Sequence, residues 1–228
     1  MMKKTIAIIG AGPGLGLSIA KKFGANGFQV ALISRNEEKL NTLVQELQAL
    51  NIEAAAFPAD VYNKEQVATA FDNIKKKYGF IDVLEFSPTS GNYPPTPASQ
   101  VTEENAQDAF QALVVAAIRS VAQVLPEMLE KRSGALLFTT GLSSIYPMQM
   151  MGNVGIALSG LRNYALNLHA DLAPQGIYVG HLALGVFIKP GTATDPGLIA
   201  DVWYEMYMNK SKAEDTFPQG VTPATIIW

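Results

Sequence analysis

The sequence predicts a doubly wound α/β fold, in which helices cover both faces of one mostly parallel sheet of six to seven strands. Along the 228 residues, apolar runs of strand length alternate with longer segments of helical period. A glycine-rich turn joins the first strand to the first helix. The composition is 48% hydrophobic and only 16% charged, which fits strands that are buried on both faces.

The strands are short apolar runs. The six segments are Thr5–Ile9, Gln29–Ser34, Ile52–Pro58, Val83–Ser87, Ala135–Thr140 and Ile177–Leu184. A short last strand is expected near Ala224–Trp228.

The helices lie between these strands and show an apolar period of 3.6 residues. They are Leu15–Phe23, Glu37–Leu50, Lys64–Tyr78, Glu103–Glu130 and Asn153–Leu172, followed by an amphipathic segment Leu198–Asn209. Asn63 with Gln66 forms a capping-box pattern before the third helix. Strict alternation favours parallel pairing with right-handed crossovers and therefore three layers. We expect a single domain over residues 1–228, with Pro88–Pro97 as an ordered surface loop.

Composition excludes several classes of function. Seventeen basic and twenty acidic residues give a charge of −3 without a basic cluster, so nucleic acid is not an expected partner. No cysteine is present and the two histidines are too few for a His-rich site, so no metal is expected. The first apolar run is too short for a membrane span or a signal peptide. We expect a cytoplasmic protein.

The glycine-rich turn is the main functional signal. It follows a strand and opens a helix, where free backbone N–H groups and the helix dipole favour a pyrophosphate. The candidate cofactor-binding residues here are Gly10, Gly12, Pro13, Gly14, Leu15 and Gly16. The alternative is a tight turn whose glycines serve only close packing.

The end of the second strand indicates which dinucleotide is preferred. A site selective for NAD would place an acid there to bind the ribose 2′-hydroxyl. This chain has Ser34 and Arg35 instead. A guanidinium group can bind a 2′-phosphate through two hydrogen bonds, so NADP(H) is predicted in preference to NAD(H). A solvated arginine at a strand end is the alternative.

The spacing Gly10, Gly14, Leu15, Gly16, then Ser34-Arg35, then Ala59-Asp60-Val61, resembles the short-chain dehydrogenases/reductases over nearly the whole chain. The resemblance implies a Rossmann fold and oxidoreductase chemistry on a small carbonyl or alcohol. It also implies that Asp60 and Val61 contact the adenine, although Asp60 is equally suited to a strand-end turn. By the same resemblance Ser87 would meet the ribose, and Gly185 would present its backbone to the nicotinamide.

This sequence departs from the family where the family keeps its catalytic asparagine, serine, tyrosine and lysine. Counting from the landmarks above, those positions are occupied by Leu113, Gly141, Val154 and Leu158. None of the eight tyrosines has a lysine four residues later, and no lysine lies between Lys131 and Lys189. Valine and leucine cannot replace a phenol whose pKa a neighbouring ammonium lowers. The standard mechanism of the family is therefore not expected.

Other side chains could supply a displaced catalytic site. Ser143, Ser144 and Tyr146 follow the fifth strand, at the edge where open α/β sheets bind ligands. An ordinary polar loop is the alternative interpretation. Ser90 and Tyr93 in the proline-rich loop are weaker candidates of the same kind.

The histidines and the apolar helices are expected to have mainly structural roles. His169 is expected to pack on a helix, and His181 to be a satisfied core histidine. Segment 198–209 corresponds in position to the family's mobile substrate lid, although its Met and aromatic residues also suit a core or interface. Helices 103–130 and 153–172 are apolar over much of their circumference, so they must be covered. The resemblance implies a homodimer or homotetramer formed through them, and burial against the sheet alone is the alternative.

Two functions stay open at this point. One is an NADP(H)-dependent oxidoreductase whose acid is Ser143, Tyr146, the substrate or water. The other is a non-catalytic redox sensor or scaffold that retains the dinucleotide site. A purely structural role conflicts with the intact glycine spacing.

Overall fold

A computed structural model describes residues 3–88 and 92–226. Its strands form one seven-stranded sheet in the order β3-β2-β1-β4-β5-β6-β7, and every pair is parallel. The strands are β1 Thr5–Ile9, β2 Gln29–Ile33, β3 Ala54–Ala56, β4 Val83–Phe86, β5 Gly134–Gly141, β6 Ile177–Leu184 and β7 Glu214–Phe217. The predicted doubly wound α/β class is confirmed. The strand order reverses between β1 and β4, where such sheets open a ligand crevice.

The helices follow the predicted segments closely. They are α1 Leu15–Ala25, α2 Glu37–Ala49, α3 Lys64–Tyr78, α4 Glu103–Phe110, α5 Ala116–Lys131, α6 Gly152–Leu172 and α7 Pro196–Asn209. Side chains cap the N-termini of α2, α3, α4 and α7, namely Asn36, Asn63, Thr102 and Asp195. The N-terminus of α1 has no side-chain cap.

The sheet separates two apolar layers. On one face, α1, α2 and α7 pack over β1, β2 and β4, and Phe23 lies at the centre of this layer. Its ring meets Tyr204 and Tyr207 of α7, with centroid distances of 5.2 and 5.4 Å. The opposite face is covered by α3, α4, α5 and α6. Strand residues therefore face alternate layers, and this alternation decides which polar groups can meet.

The helix predicted over 103–130 is interrupted. Between α4 and α5, residues Gln111–Val115 form a π-helical turn. A π turn accommodates one extra residue within a helix and occurs frequently at functional sites. Apolar periodicity over so few residues does not reveal it.

Together, α4, the π turn and α5 form a helical stretch, Glu103–Lys131, that is long and apolar enough to cross a membrane. Half of its most apolar window is buried inside the fold, against the sheet and α6. The helix contributes buried residues to the core, including Val121 and Met128. This packing accounts for the buried half of its apolar character.

The expected last strand near 224–228 is wrong over the described residues. Residues 224–226 are not in a strand, and 227 and 228 lie outside the described part of the chain. The seventh strand is β7, which pairs with β6 so that His181 is opposite Glu214. It is a half-buried edge strand with two acidic residues, so it lacks the apolar run that marked the other strands.

Segment 198–209 forms most of α7, and part of it packs against the sheet. Trp203 is fully buried, and Met206 and Tyr207 are buried beside it. The Trp203 indole donates from Nε1 to Thr139 Oγ1 at 2.9 Å. This placement corresponds to the core alternative for these aromatic and Met residues.

A charged cluster fastens the edge strand to the sheet. Glu214 of β7 accepts from Arg162 of α6 through both carboxylate oxygens, at 2.6 and 2.8 Å. Its Oε1 also lies 2.9 Å from Nδ1 of the buried His181. Hydrogen bonds from His181 and Arg162 lower the pKa of Glu214 to about 2.

We expect Glu214→Gln to lower the free energy of unfolding at pH 7 by about 2 kcal/mol, since the charge between Arg162 and His181 is lost. The folded pKa lies below the ordinary 4.5. The stabilisation is therefore complete above pH 4.5 and is lost as the pH falls through 2. Urea unfolding at pH 7 and pH 3 measures both effects. The variant should lose less stability than the wild type between these pH values.

Asp215→Asn is the matched control. Asp215 lies on the same strand and pairs with Lys212, whose side chain is more exposed than that of Arg162. Such pairs contribute about 0–1 kcal/mol. Equal effects of the two substitutions would contradict a special role of Glu214.

Candidate functional site

A cavity among the described residues lies at the carboxyl ends of the central strands. It has a volume of about 520 Å³ and is lined by the glycine-rich turn, the ends of β4, β5 and β6, the π turn and the first half of α6. This edge of the sheet contains the switch in strand order. Ligands of open α/β sheets bind in the same position.

Two glycines of the turn are required by packing. Gly10 has φ +87°, and a Cβ there would lie 2.6 Å from Cα of Pro88, which follows β4. A Cβ at Gly16 would lie 2.9 Å from Cα of Ala11. These two positions explain how the turn fits against β4 and α1.

The other two glycines have no packing requirement of this kind. A Cβ at Gly12 would meet no atom closer than 3.9 Å, and one at Gly14 would meet none within 4 Å. Both line the cavity, as do Pro13 and Leu15. The face of the turn is thus bare backbone that opens into the cavity. Side chains there would fill the space that a ligand needs.

The uncapped N-terminus of α1 lies at this bare face. Its first N–H groups have no acceptor within the helix, and none of the described side chains caps them. The N–H of Leu17 donates to the carbonyl of Gly12 at 2.9 Å, which leaves the N–H groups of Leu15 and Gly16 for a ligand. The first turn of α1 contains no acidic residue. Together with the helix dipole, these donors favour an anionic group of a ligand.

Residues after β2 lie beside the turn. The N–H groups of Gly10 and Ala11 both donate to the carbonyl of Ile33, at 3.0 and 3.1 Å. Ser34 and Arg35 follow immediately, and Arg35 is exposed. Neither lines the cavity itself; both extend its edge towards β3.

Asp60 and Val61 follow β3 on the same edge. The N–H of Ala59 donates to the carbonyl of Ser34 at 3.0 Å, which brings the two strand ends together. Asp60 Oδ1 accepts from the N–H of Tyr62 at 3.1 Å, so this side chain stabilises a turn. The carbonyl of Val61 accepts from Arg119.

Ser87 and Gly185 both line the cavity. The N–H of Gly185 donates to the carbonyl of Phe217 at 2.8 Å, and a Cβ there would lie 2.7 Å from Val221. Gly185 thus lets the segment after β6 pass close to Val221. The following residues, 186–188, continue the cavity wall.

The four residues that the sequence resemblance places at the family's catalytic positions all line this cavity. Leu113 comes from the π turn, Gly141 from the end of β5, and Val154 and Leu158 from α6. This part of the cavity presents hydrocarbon side chains and a glycine, and none of the four has a group that exchanges protons.

Of the residues considered for a displaced catalytic site, only some line the cavity. Ser143 lines the cavity and is buried, whereas Tyr146 and Tyr93 do not line it. Ser144 is buried, and its Oγ is hydrogen-bonded to Thr140 Oγ1 at 2.9 Å. Ser90 lies outside the described residues.

Both histidines have hydrogen-bond partners. His169 Nδ1 is 2.8 Å from the carbonyl of Val179. His181 is fully buried between Glu214 and Thr140, whose Oγ1 is 2.8 Å from its Nε2. It lies on the α6 side of the sheet.

A second polar group, which sequence reasoning missed, lies on the α1 and α7 side. Glu85 of β4 is fully buried. It accepts from Ser87 Oγ at 3.0 Å and from Thr139 Oγ1 at 2.9 Å. Both hydroxyl residues line the cavity. Burial raises the pKa of the Glu85 carboxyl to about 8. The only sequence signal was one acid within the apolar run of β4.

Comparison with known proteins agrees with this geometry. A family model for short chain dehydrogenases matches residues 4–195. A 3-oxoacyl-(acyl-carrier-protein) reductase of Staphylococcus epidermidis is 24% identical over 216 residues, which cover 94% of this chain and 88% of that protein.

Solved structures show the same architecture. A short-chain dehydrogenase from Rhodopseudomonas palustris superposes with a TM-score of 0.82 at 27% identity, covering 96% of this chain and 98% of the other. L-sorbose reductase from Gluconobacter frateurii, solved with NADPH and L-sorbose, has the same fold with a TM-score of 0.80 at 18% identity and 90% coverage of both chains. Since the family model spans most of the sequence, the chain belongs to the short-chain dehydrogenase family.

Proposed function

We propose that this protein binds NADP(H) across the carboxyl ends of β1, β4, β5 and β6, and that any oxidoreductase activity proceeds without the family's catalytic tetrad. The observation that carries the proposal is the uncapped N-terminus of α1. Together with the bare backbone of Gly12 and Gly14, it faces the cavity at the carboxyl ends of the central strands. This arrangement suits a pyrophosphate.

The other contacts follow from position along the sheet edge. Asp60 and Val61 would border the adenine. Ser87 would meet a ribose, and the backbone at Gly185 would border the nicotinamide. When bound, the cofactor would supply or accept the hydride. The protein's contribution is to hold and orient it.

Arg35 is the proposed source of the preference for NADP(H). It is exposed at the end of β2, where an NAD-selective site has an acid. No protein hydrogen bond or ion pair holds its guanidinium group in the described structure, so it can turn towards a 2′-phosphate. The L-sorbose reductase and a metagenomic short-chain oxidoreductase were solved with NADPH and NADP, respectively, which supports this choice.

The proposed substrate is a small carbonyl compound or alcohol, as the names of the relatives suggest. The acid would be Ser143, whose hydroxyl lies at the cavity, or a solvent or substrate group. A hydroxyl without an adjacent base is a weak catalyst. Turnover is therefore expected to be slow.

A second function is favoured by the hydrocarbon lining at Leu113, Val154 and Leu158. In that proposal the protein is a non-catalytic redox sensor or scaffold, and dinucleotide occupancy sets its assembly. Both proposals share the cofactor site and differ only in turnover.

The proposal includes a cytoplasmic single-domain protein that assembles through helices 103–130 and 153–172. Large apolar side chains are exposed on each part of this surface: Phe110 on α4, Ile118 on α5 and Ile156 on α6. A helix surface with such residues gains stability when a second copy covers it.

Isothermal titration calorimetry of nucleotide-free protein should show tighter binding of NADPH than of NADH. Arg35→Ala is expected to weaken NADPH binding by roughly tenfold to a hundredfold and to leave NADH binding nearly unchanged, because one charge-assisted contact contributes about 1.5–3 kcal/mol. Lys3→Ala removes a positive charge at the opposite edge of the sheet and should change neither. Failure of the wild type to bind either nucleotide would refute the proposed function.

Installing the family's catalytic groups tests the account of the cavity. The triple variant Gly141→Ser, Val154→Tyr, Leu158→Lys should raise carbonyl-dependent NADPH oxidation by about 10²-fold or more over the wild type. A Cβ at Gly141 makes only ordinary contacts, at 3.7 and 3.8 Å. Efficient wild-type turnover that Ser143→Ala abolishes would instead locate the acid at Ser143. Absence of wild-type turnover across the carbonyl panel would favour the sensor.

Light scattering tests the proposed assembly. Ile118→Glu together with Ile156→Glu should convert the oligomer to monomer, since two buried charges at an apolar interface are strongly unfavourable. Leu50→Glu changes a similarly exposed apolar residue, the C-cap of α2, and should leave the oligomer intact. A wild-type monomer at micromolar concentration would rule out the assembly.

A further inference from the structure

Glu85 is difficult to explain by stability. It lies in the centre of the sheet, and its neighbours in register are Ile8 of β1 and Leu137 of β5. A Val or Leu side chain would continue this apolar layer. An ionised carboxylate in such a place is costly unless a cation accompanies it. The residues that the structure describes place no cation against Glu85; its partners are the hydroxyls of Ser87 and Thr139.

The two hydroxyls connect Glu85 to the cavity. Thr139 Oγ1 also accepts from the Trp203 indole, which fixes its orientation. An ionised carboxylate can only accept, so both hydroxyl hydrogens then point to Glu85 and the cavity meets lone pairs alone. A protonated carboxyl group donates one hydrogen, and this frees one hydroxyl to donate to a ligand.

Glu85 also lies close to the glycine-rich turn. The N–H of Ser87 donates to the carbonyl of Ile9 at 3.0 Å, and Pro88 packs against Gly10. A ligand phosphate at this turn would repel an ionised Glu85 through a poorly solvated layer. The burial that raises the pKa of Glu85 to about 8 places its titration within reach of this effect.

We propose that Glu85 is a positioning residue of the dinucleotide site, which orients Ser87 and Thr139, takes up a proton when an anionic dinucleotide binds and thereby frees one of the two hydroxyls to donate to the ligand. This inference rests on the proposed cofactor site. It adds a pH-dependence of binding that the glycine-rich turn alone would not produce.

Other ionisable groups around this layer do not explain such a dependence. The strands β1 and β5 contain none. The groups on the covering helices are Lys21 and Lys22 of α1, Glu37, Glu38, Lys39 and Glu46 of α2, and Asp201, Tyr204, Glu205 and Tyr207 of α7. Lys21 and Lys22 form surface ion pairs with Glu46 and Asp201, both at 2.6 Å.

Calorimetric titration with NADPH at pH 8, in two buffers of different ionisation enthalpy, measures the proton uptake. The wild type should take up about half a proton per dinucleotide, and Kd should rise about tenfold between pH 7 and pH 9. The 2′-phosphate has its second pKa near 6 and stays ionised at pH 8 and above. Glu85→Gln should show no uptake and little change in Kd, because it is neutral at each pH.

Asp82→Asn is the matched control. Asp82 immediately precedes β4 at the opposite edge of the sheet, and burial raises the pKa of its carboxyl as well. This variant should retain the proton uptake of the wild type. Equal uptake by Glu85→Gln and the wild type would overturn the inference.

A measurement without ligand tests the protonation itself. An acid whose folded pKa is raised stabilises the fold below its unfolded pKa, and this contribution is lost as the pH rises through 8. The Tm of the wild type should therefore fall between pH 6.5 and pH 9, and that of Glu85→Gln should fall less.

The outcomes separate this inference from the proposed function. No NADPH binding by the wild type at any pH would remove both. Binding without proton uptake would leave the cofactor site and overturn the role of Glu85. If Glu85→Gln does not fold, the two-buffer titration of the wild type still decides.

Discussion

The contact between two backbone segments, the turn after β1 and the chain leaving β4, sets the geometry on which the rest of the site depends. A Cβ added at Gly10 would collide with Pro88, so the two backbones leave no room for a side chain between them. The bare face of the turn is consequently directed away from β4 and into the cavity. The uncapped start of α1 lies on that same face. A parallel sheet brings all its carboxyl ends to one edge, and this single close approach decides which part of the edge can receive an anion.

Side-chain alternation along β5 then divides the polar groups into two separate networks. Thr139 faces α7 and joins Glu85, Ser87 and Trp203. Thr140 faces α6 and joins Ser144 and His181, which continues to Glu214 and Arg162. Two neighbouring threonines therefore tie the cavity to opposite layers of the molecule. The first network lies beneath the proposed dinucleotide, whereas the second reaches the edge strand. Neither introduces a proton-exchanging group at Gly141, Val154 or Leu158, where the cavity wall is apolar.

Sequence reasoning succeeded where one local signal was sufficient. The bounds of β1, β6 and α3 were predicted to the residue because a long apolar period or a clear cap marked them. The last strand was missed because it has no apolar run of its own, and the groups that contact it, on β6 and at Arg162, are distant in the sequence. Glu85 was missed for a related reason: its partner Thr139 is 54 positions away, so only the folded sheet reveals that the two meet.

The aromatic packing of α1 against α7 has a consequence for synthesis. Phe23 belongs to α1, yet two of the rings that cover it, Tyr204 and Tyr207, belong to α7, which is synthesised much later. The nascent chain can form β1 and α1 early, but α1 retains an uncovered apolar face until α7 has emerged. Completion of this layer is a late event, and an incomplete chain offers chaperones the surface that the finished protein conceals.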